Sequence, residues 1–216
     1  MKNLVEFKNV YYSFTKAFNV LHNINFCLKV GEKSVIIANN DSGITSFIRI
    51  LLRDEKVNSG EVLYNNTPIK KISFKKDIFL AYLPSEPVFF DKKSIKFNLH
   101  YFLKLHKVQD FYEEDICKYF NIDKNIIVKN LSYFEKVKLA IARFSFRKIQ
   151  LLIIENIFEK LTEKESLEVQ TILNDIIKKN NACVILVIAE KNKFINNLQD
   201  FTKYTLKYGT LEKIES

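Results

Sequence analysis

The chain has 216 residues, 47% of them hydrophobic, enough to bury the core of one domain with room for an inserted lobe. Its longest uncharged apolar stretch, residues 182–189, falls far short of the roughly 20 residues that span a bilayer, and charges break the apolar run at the N-terminus, so neither a membrane span nor a signal peptide is expected. The net charge of +9 is dispersed along the chain rather than gathered on one helix or arm, which argues against direct nucleic-acid binding; Cys27, Cys117 and Cys183 lack CxxC spacing and offer neither a disulfide framework nor a zinc site, which suits a reducing cytosol.

In chain order, "LVEFKNVYYSF" and "VLHNINFCLKV" alternate apolar and polar residues and predict half-exposed antiparallel strands. "KSVIIAN" is a short β-branched run of the kind buried on both faces. It leads into Ile44, Phe47, Ile48, Leu51 and Leu52, whose spacing makes one face of an amphipathic helix. Strands are predicted at 60–66, 78–84, 149–155, 183–189 and 204–214, with turns at all four glycines. Helical patterns fill the interval between Pro87 and Phe146, and another helix over about 163–179 separates two of the strands. The alternation predicts an α/β fold carrying a helical insertion.

The segment "ANNDSGIT", residues 38–45, follows a strand and opens a helix in the manner of a phosphate-binding loop, G-x-x-x-x-G-K-[ST]. In such a loop backbone N–H groups cradle phosphates, a lysine reaches the β/γ oxygens and a hydroxyl holds magnesium. Here Ala38 replaces the first glycine, Gly43 keeps the second, Ile44 replaces the lysine and Thr45 keeps the hydroxyl. Further on, Ser132 and Glu135 form S-x-x-E, a capping box ahead of a helical run.

With these segments in order, the chain resembles the nucleotide-binding subunit of an ATP-binding cassette (ABC) transporter over nearly its whole length. "VEFKNVYYSF" resembles the first strand and the loop whose aromatic residue stacks on adenine, here Phe14. "YLPSEPVFFDKKSIKFNL" resembles the glutamine-bearing loop that opens the helical lobe, "NLSYFEKVKLAIAR" stands where the L-S-G-G-Q signature falls, and "LLIIENIFEKL" where the L-L-L-D-E-P strand ends. The resemblance implies a P-loop NTPase-like ABC ATPase fold: a mixed sheet core with an antiparallel β side sheet and an inserted helical subdomain. It implies one nucleotide-binding domain over 1–216, with a sheet lobe at 1–86 and 147–216 and a helical lobe at 87–146.

It further implies nucleotide contacts at Phe14, Ala38, Asn39, Asn40, Asp41, Ser42, Gly43, Ile44, Thr45 and Ser46, and a contact from Ser132 to nucleotide held by the opposite subunit. Glu155 aligns with the general base, or is simply a carboxylate at a strand end. The departures fall on chemistry. Ile44 removes a cation, worth about tenfold to a hundredfold or more in affinity. Ile154 stands for the magnesium-orienting carboxylate, Ser85 for the glutamine, Ala189 for the switch histidine and Leu161 for the aspartate after the base. Thr45 is left as the main magnesium contact, with Ser85 at a degenerate position. Tyr133 and Phe134, in place of the signature glycines, are expected to crowd the partner's phosphate.

The expectation is therefore an ATP-binding subunit with weak ATP binding, magnesium optional and little or no hydrolysis. It would lie in the cytoplasm on the inner face of the membrane, docked on an integral membrane permease and paired with a second ABC subunit in a homo- or heterodimer. Val88, Phe89 and Phe90, followed by Lys92 and Lys93, are expected to anchor the permease, with packing of the lobe as the alternative. A slow but active ATPase, or a non-transport interaction protein on the same fold, are the competing readings.

Overall fold

The computed structural model describes residues 2–15, 19–73, 79–106, 113–146, 148–192 and 198–214. Two sheets are present. β1 (Asn3–Tyr12), β2 (Leu21–Lys29), β4 (Ser59–Tyr64) and β5 (Thr67–Pro68) form an antiparallel side sheet in the order β2-β1-β4-β5. The main sheet contains β3 (Lys33–Ala38), β6 (Leu80–Leu83), β7 (Leu151–Glu155), β8 (Cys183–Ile188), β9 (Thr202–Lys207) and β10 (Thr210–Lys213), in the order β10-β9-β3-β8-β7-β6. It is mixed: β9, β3, β8, β7 and β6 run parallel, and β10 returns antiparallel to β9.

The period of two in the central strands divides the interior. In β8, Cys183, Ile185 and Val187 face one apolar cluster while Val184, Leu186 and Ile188 face another, and all six are buried. The first cluster joins the main sheet to the side sheet and to α1 (Ile44–Leu51), whose Phe47 stacks on Phe7 at 4.7 Å. The second joins the other face to α2 (Ile95–Leu105), α3 (Glu113–Tyr119), α4 (Tyr133–Ala142) and α5 (Glu163–Asn180). The helices α2 to α4 lie in the chain between β6 and β7, where the helical runs were predicted, and their apolar residues share a core with the sheet.

Local chemistry sets the ends. Ser132 and Thr162 open α4 and α5 with complete capping boxes, and the Tyr64 hydroxyl donates to the Leu51 carbonyl at the end of α1. Asn65 and Asn66, both at positive φ, close the two-residue hairpin between β4 and β5. Two expectations change. The run over 204–214 is a hairpin rather than one strand, folded at Tyr208 and Gly209, both at positive φ. Gly60 lies within β4 rather than in a turn, at φ 81° beside a register shift against β1, where a Cβ would run into the Lys8 and Asn9 carbonyls. Ile78, the first residue of the strand expected over 78–84, lies outside the described residues.

Candidate functional site

The parallel strands β3, β7 and β8 end on one edge of the sheet, and the loops leaving those ends surround a cavity of about 1140 Å³. Open α/β sheets place ligand sites at such carboxyl ends. Ala38 ends β3, and the loop Asn39–Ser42 turns the chain through Asp41 at φ 64° and Gly43 at φ 93° into α1. Gly43 is fixed by its surroundings as well as by φ, because a Cβ there would lie 2.8 Å from both the Val20 carbonyl and the Leu21 side chain. The loop is held inside by Ser42, which is buried: its N–H donates to the Asn39 carbonyl at 3.3 Å and its hydroxyl accepts from the Ile44 N–H at 3.3 Å.

Most of the residues singled out in the sequence meet here. Phe14, Ala38, Asn39, Asn40, Asp41, Gly43, Ile44, Thr45, Ser46, Ser85 and Glu155 all border the cavity. Phe14 is 64% exposed at its rim, supported edge-on by Tyr12 at 5.3 Å, so a flat apolar face is available for a ring to stack on. Ser42 and Ser132 do not border it. Ile44, at the lysine position, packs against the core shared with the side sheet and brings no charge to the cavity. Ile154 is 3% exposed and turned to the helical face of the sheet, so the strand offers no carboxylate there for a metal. Among the described residues no cluster of three or more histidine, cysteine or acidic side chains is placed to hold a metal ion. The cavity and loop thus fit a nucleotide, and Thr45 and Ser85, the two magnesium candidates, both border it.

Two tyrosines that the sequence reading left out of the chemistry, or placed differently, shape the site. Tyr82 on β6 and Glu155 on β7 share a sheet face, and the Tyr82 hydroxyl donates to the Glu155 carboxylate. Burial, then this bond, push the Tyr82 hydroxyl well above its usual range. Tyr133, expected to crowd the partner's phosphate, makes contacts within its own chain. Its ring is half-buried against the chain's own core, and its hydroxyl donates to the Ser85 carbonyl at 2.8 Å. Burial first, then the Glu86 and Glu159 carboxylates, push it up to about 12. Ser132 is likewise occupied: its hydroxyl and N–H both donate to Glu135 at 2.8 Å while it accepts from the Glu135 N–H at 3.2 Å.

The loop after β8 completes the cavity. Asn39 donates to Glu190 at 2.9 Å and accepts from the Glu190 N–H at 3.3 Å, clipping the phosphate-type loop to the turn beyond Ala189. Lys207 donates to the same carboxylate at 2.9 Å and, with Asn39, holds it below the usual carboxylate range. Asn156, Glu159 and Lys191 also line the cavity: Asn156 caps and Glu159 lies in the short 3-10 helix Ile157–Lys160 after β7, and Lys191 follows β8 in a turn, so no local motif marked them.

At the expected docking loop, Phe89 and Phe90 part company. Phe89 packs against the core beneath the Arg143 guanidinium, 4.4 Å from its ring centre, and burial lowers that guanidinium's pKa to about 10. Phe90 is 47% exposed and meets Phe97 and Tyr101 of α2 at 5.6 and 4.8 Å. In the joint anchor expected of Val88, Phe89 and Phe90, Phe89 is therefore half-buried against the core, covered by Arg143, while Val88 and Phe90 stay exposed.

A strand, phosphate-type loop and helix at the carboxyl edge of a mostly parallel sheet, with an antiparallel sheet beside it and helices inserted before β7, define a nucleotide-binding α/β protein. The chain belongs to the ABC transporter family, which it matches over residues 21–158. It is similar to the zinc import ATP-binding protein ZnuC of Wigglesworthia glossinidia brevipalpis, 27% identical over 226 residues covering 99% of this chain and 89% of that protein. It is also similar to the ATP-dependent lipid A-core flippase of Legionella pneumophila, 22% identical over 194 residues covering 84% of this chain and 33% of that protein. The chain spans about a third of the length of the export and flippase relatives it matches. The structure of cbiO1 from Clostridium perfringens, part of the ABC transporter complex cbiONQ, superposes with a TM-score of 0.80 at 18% identity, over 98% of this chain and 88% of that one. Among the described residues no helix is long and apolar enough to cross a membrane.

Proposed function

We propose that this chain is the ATP-binding subunit of an ABC-type membrane transporter whose own site binds nucleotide weakly and hydrolyses it little or not at all. The observation that carries this reading is the disposition of the charged groups. Ile44 is a neutral side chain, partly buried against the core, where a lysine would meet phosphate, Ile154 is buried where a carboxylate would orient metal, and Glu155 is engaged by Tyr82. Phosphoryl transfer depends on such positioned charge, and the remaining features, Phe14, the loop and Thr45, support binding more than turnover. The subunit acts as a structural or regulatory partner on the inner face of the membrane, docked on an integral permease through the helical lobe of residues 87–146 and paired with a second ABC subunit. The Ser132–Glu135 box and the inward Tyr133 leave the signature segment poorly equipped to serve nucleotide on that second subunit.

A second reading, a slow ATPase, draws on Glu155 keeping its place at the cavity edge. Steady-state ATP turnover of the purified chain, alone and with its membrane partner, separates the two. The proposal expects no rate above background and no change in Glu155→Gln; a rate that Glu155→Gln abolishes selects the slow enzyme.

A further inference from the structure

A polyphosphate entering the cavity meets three carboxylates on its walls, Asp41, Glu155 and Glu159, and no cation at the head of α1. Among the described residues lining the cavity, Lys191 is the one positively charged side chain. It follows Glu190, the residue clipped to Asn39, so its backbone is held against the same loop that leads to Gly43. Its neighbouring carboxylate is already taken. Glu190 accepts from Lys207 on one oxygen and from Asn39 on the other, and among the described residues Lys191 makes no ion pair. Lys191 is therefore an exposed residue of the cavity lining whose charge acts on the Glu190 carboxylate at a distance, without an ion pair to hold it. A lysine binds phosphate as a point charge on a long flexible stem, which makes it tolerant of the strand from which it reaches.

We propose that Lys191 is the cation that meets the phosphate chain of a nucleotide bound in this cavity, replacing from the loop after β8 the charge missing at Ile44. The inference rests on the reading that the cavity takes a nucleotide.

The test is equilibrium titration of the whole chain with ATP in the presence of EDTA, with adenosine as the uncharged control, for wild type, Lys191→Ala and Lys191→Arg. Lys191→Ala should weaken ATP about tenfold, the low end for a charge-assisted hydrogen bond because the group is exposed. Lys191→Arg, which keeps the charge, should stay within about threefold of wild type. Adenosine should bind all three alike, and added salt should weaken ATP for wild type more steeply than for Lys191→Ala. Equal ATP affinity in wild type and Lys191→Ala, with adenosine also bound, overturns the role of Lys191 and leaves the nucleotide reading standing. A parallel loss of ATP and adenosine assigns Lys191 to the shape of the loop and also overturns it. Wild type that takes up neither ligand at millimolar concentration overturns both.

Discussion

Ile44→Lys puts a cation back at the first residue of α1, directly after Gly43. Two magnitudes follow from its surroundings. The isoleucine is partly buried against the side-sheet core, so its removal should cost about 1 kcal/mol of stability, near half the value for full burial of such a side chain. A charge-assisted bond to phosphate contributes about 1.5 to 3 kcal/mol, so ATP affinity should rise about tenfold to a hundredfold. Turnover should nevertheless remain at background. The buried Ile154 still offers no metal ligand, Ala189 carries no imidazole, Ser85 gives its carbonyl to Tyr133, and Tyr82 still holds Glu155. Groups that act as one catalytic unit do not recover singly. The assay pairs ATP titration with a phosphate-release measurement on the same preparation. Unchanged affinity in a folded Ile44→Lys variant would show that this position does not face the phosphates. Tighter binding with turnover that Glu155→Gln abolishes would show that one missing charge, rather than several, had silenced the site.

Phe90→Ala with Phe97→Ala should remain folded and lose the membrane partner in co-purification, whereas Phe89→Ala should lower the melting temperature, because Phe89 lies under Arg143 and Phe90 does not; equal partner recovery in the folded double variant would refute the docking role. Tyr82 has its pKa raised by folding, so its contribution is fully present below the unfolded value of about 10 and is lost as pH rises through the higher folded value. Partial exposure screens the ceiling of about 1.4 kcal/mol per pH unit to about half, so urea midpoints should fall less steeply from pH 10 to 11 in Tyr82→Phe than in wild type, and parallel falls would refute the assignment. Glu168→Ala should cost about 1 to 3 kcal/mol in urea unfolding by stranding Lys138, whose side chain is 4% exposed and pairs with Glu168 at 3.0 Å, while Lys138→Met with Glu168→Ala should recover most of it; no recovery would place the loss elsewhere.

The order of strands and helices, the phosphate-type loop and the family were legible in the sequence because they rest on local signals. These were the period-two runs of β1 and β2, the β-branched run of β3, a helical stripe after Gly43 and the capping box at Ser132. Each is written in residues a few positions apart. What the sequence could not fix was the direction of side chains that choose between partners far along the chain. Tyr133 sits beside Ser132 and is 48 residues from Ser85, yet its hydroxyl goes to Ser85. Tyr82 and Glu155 are 73 residues apart and meet because parallel β6 and β7 bring them onto one face. Lys191 reaches the cavity because Glu190 pairs with Asn39 across 151 residues, and Phe89 turns inward because Arg143 lies over it. Such pairings depend on which surfaces the sheet and helices bury together, a property of the assembled fold that no local pattern records.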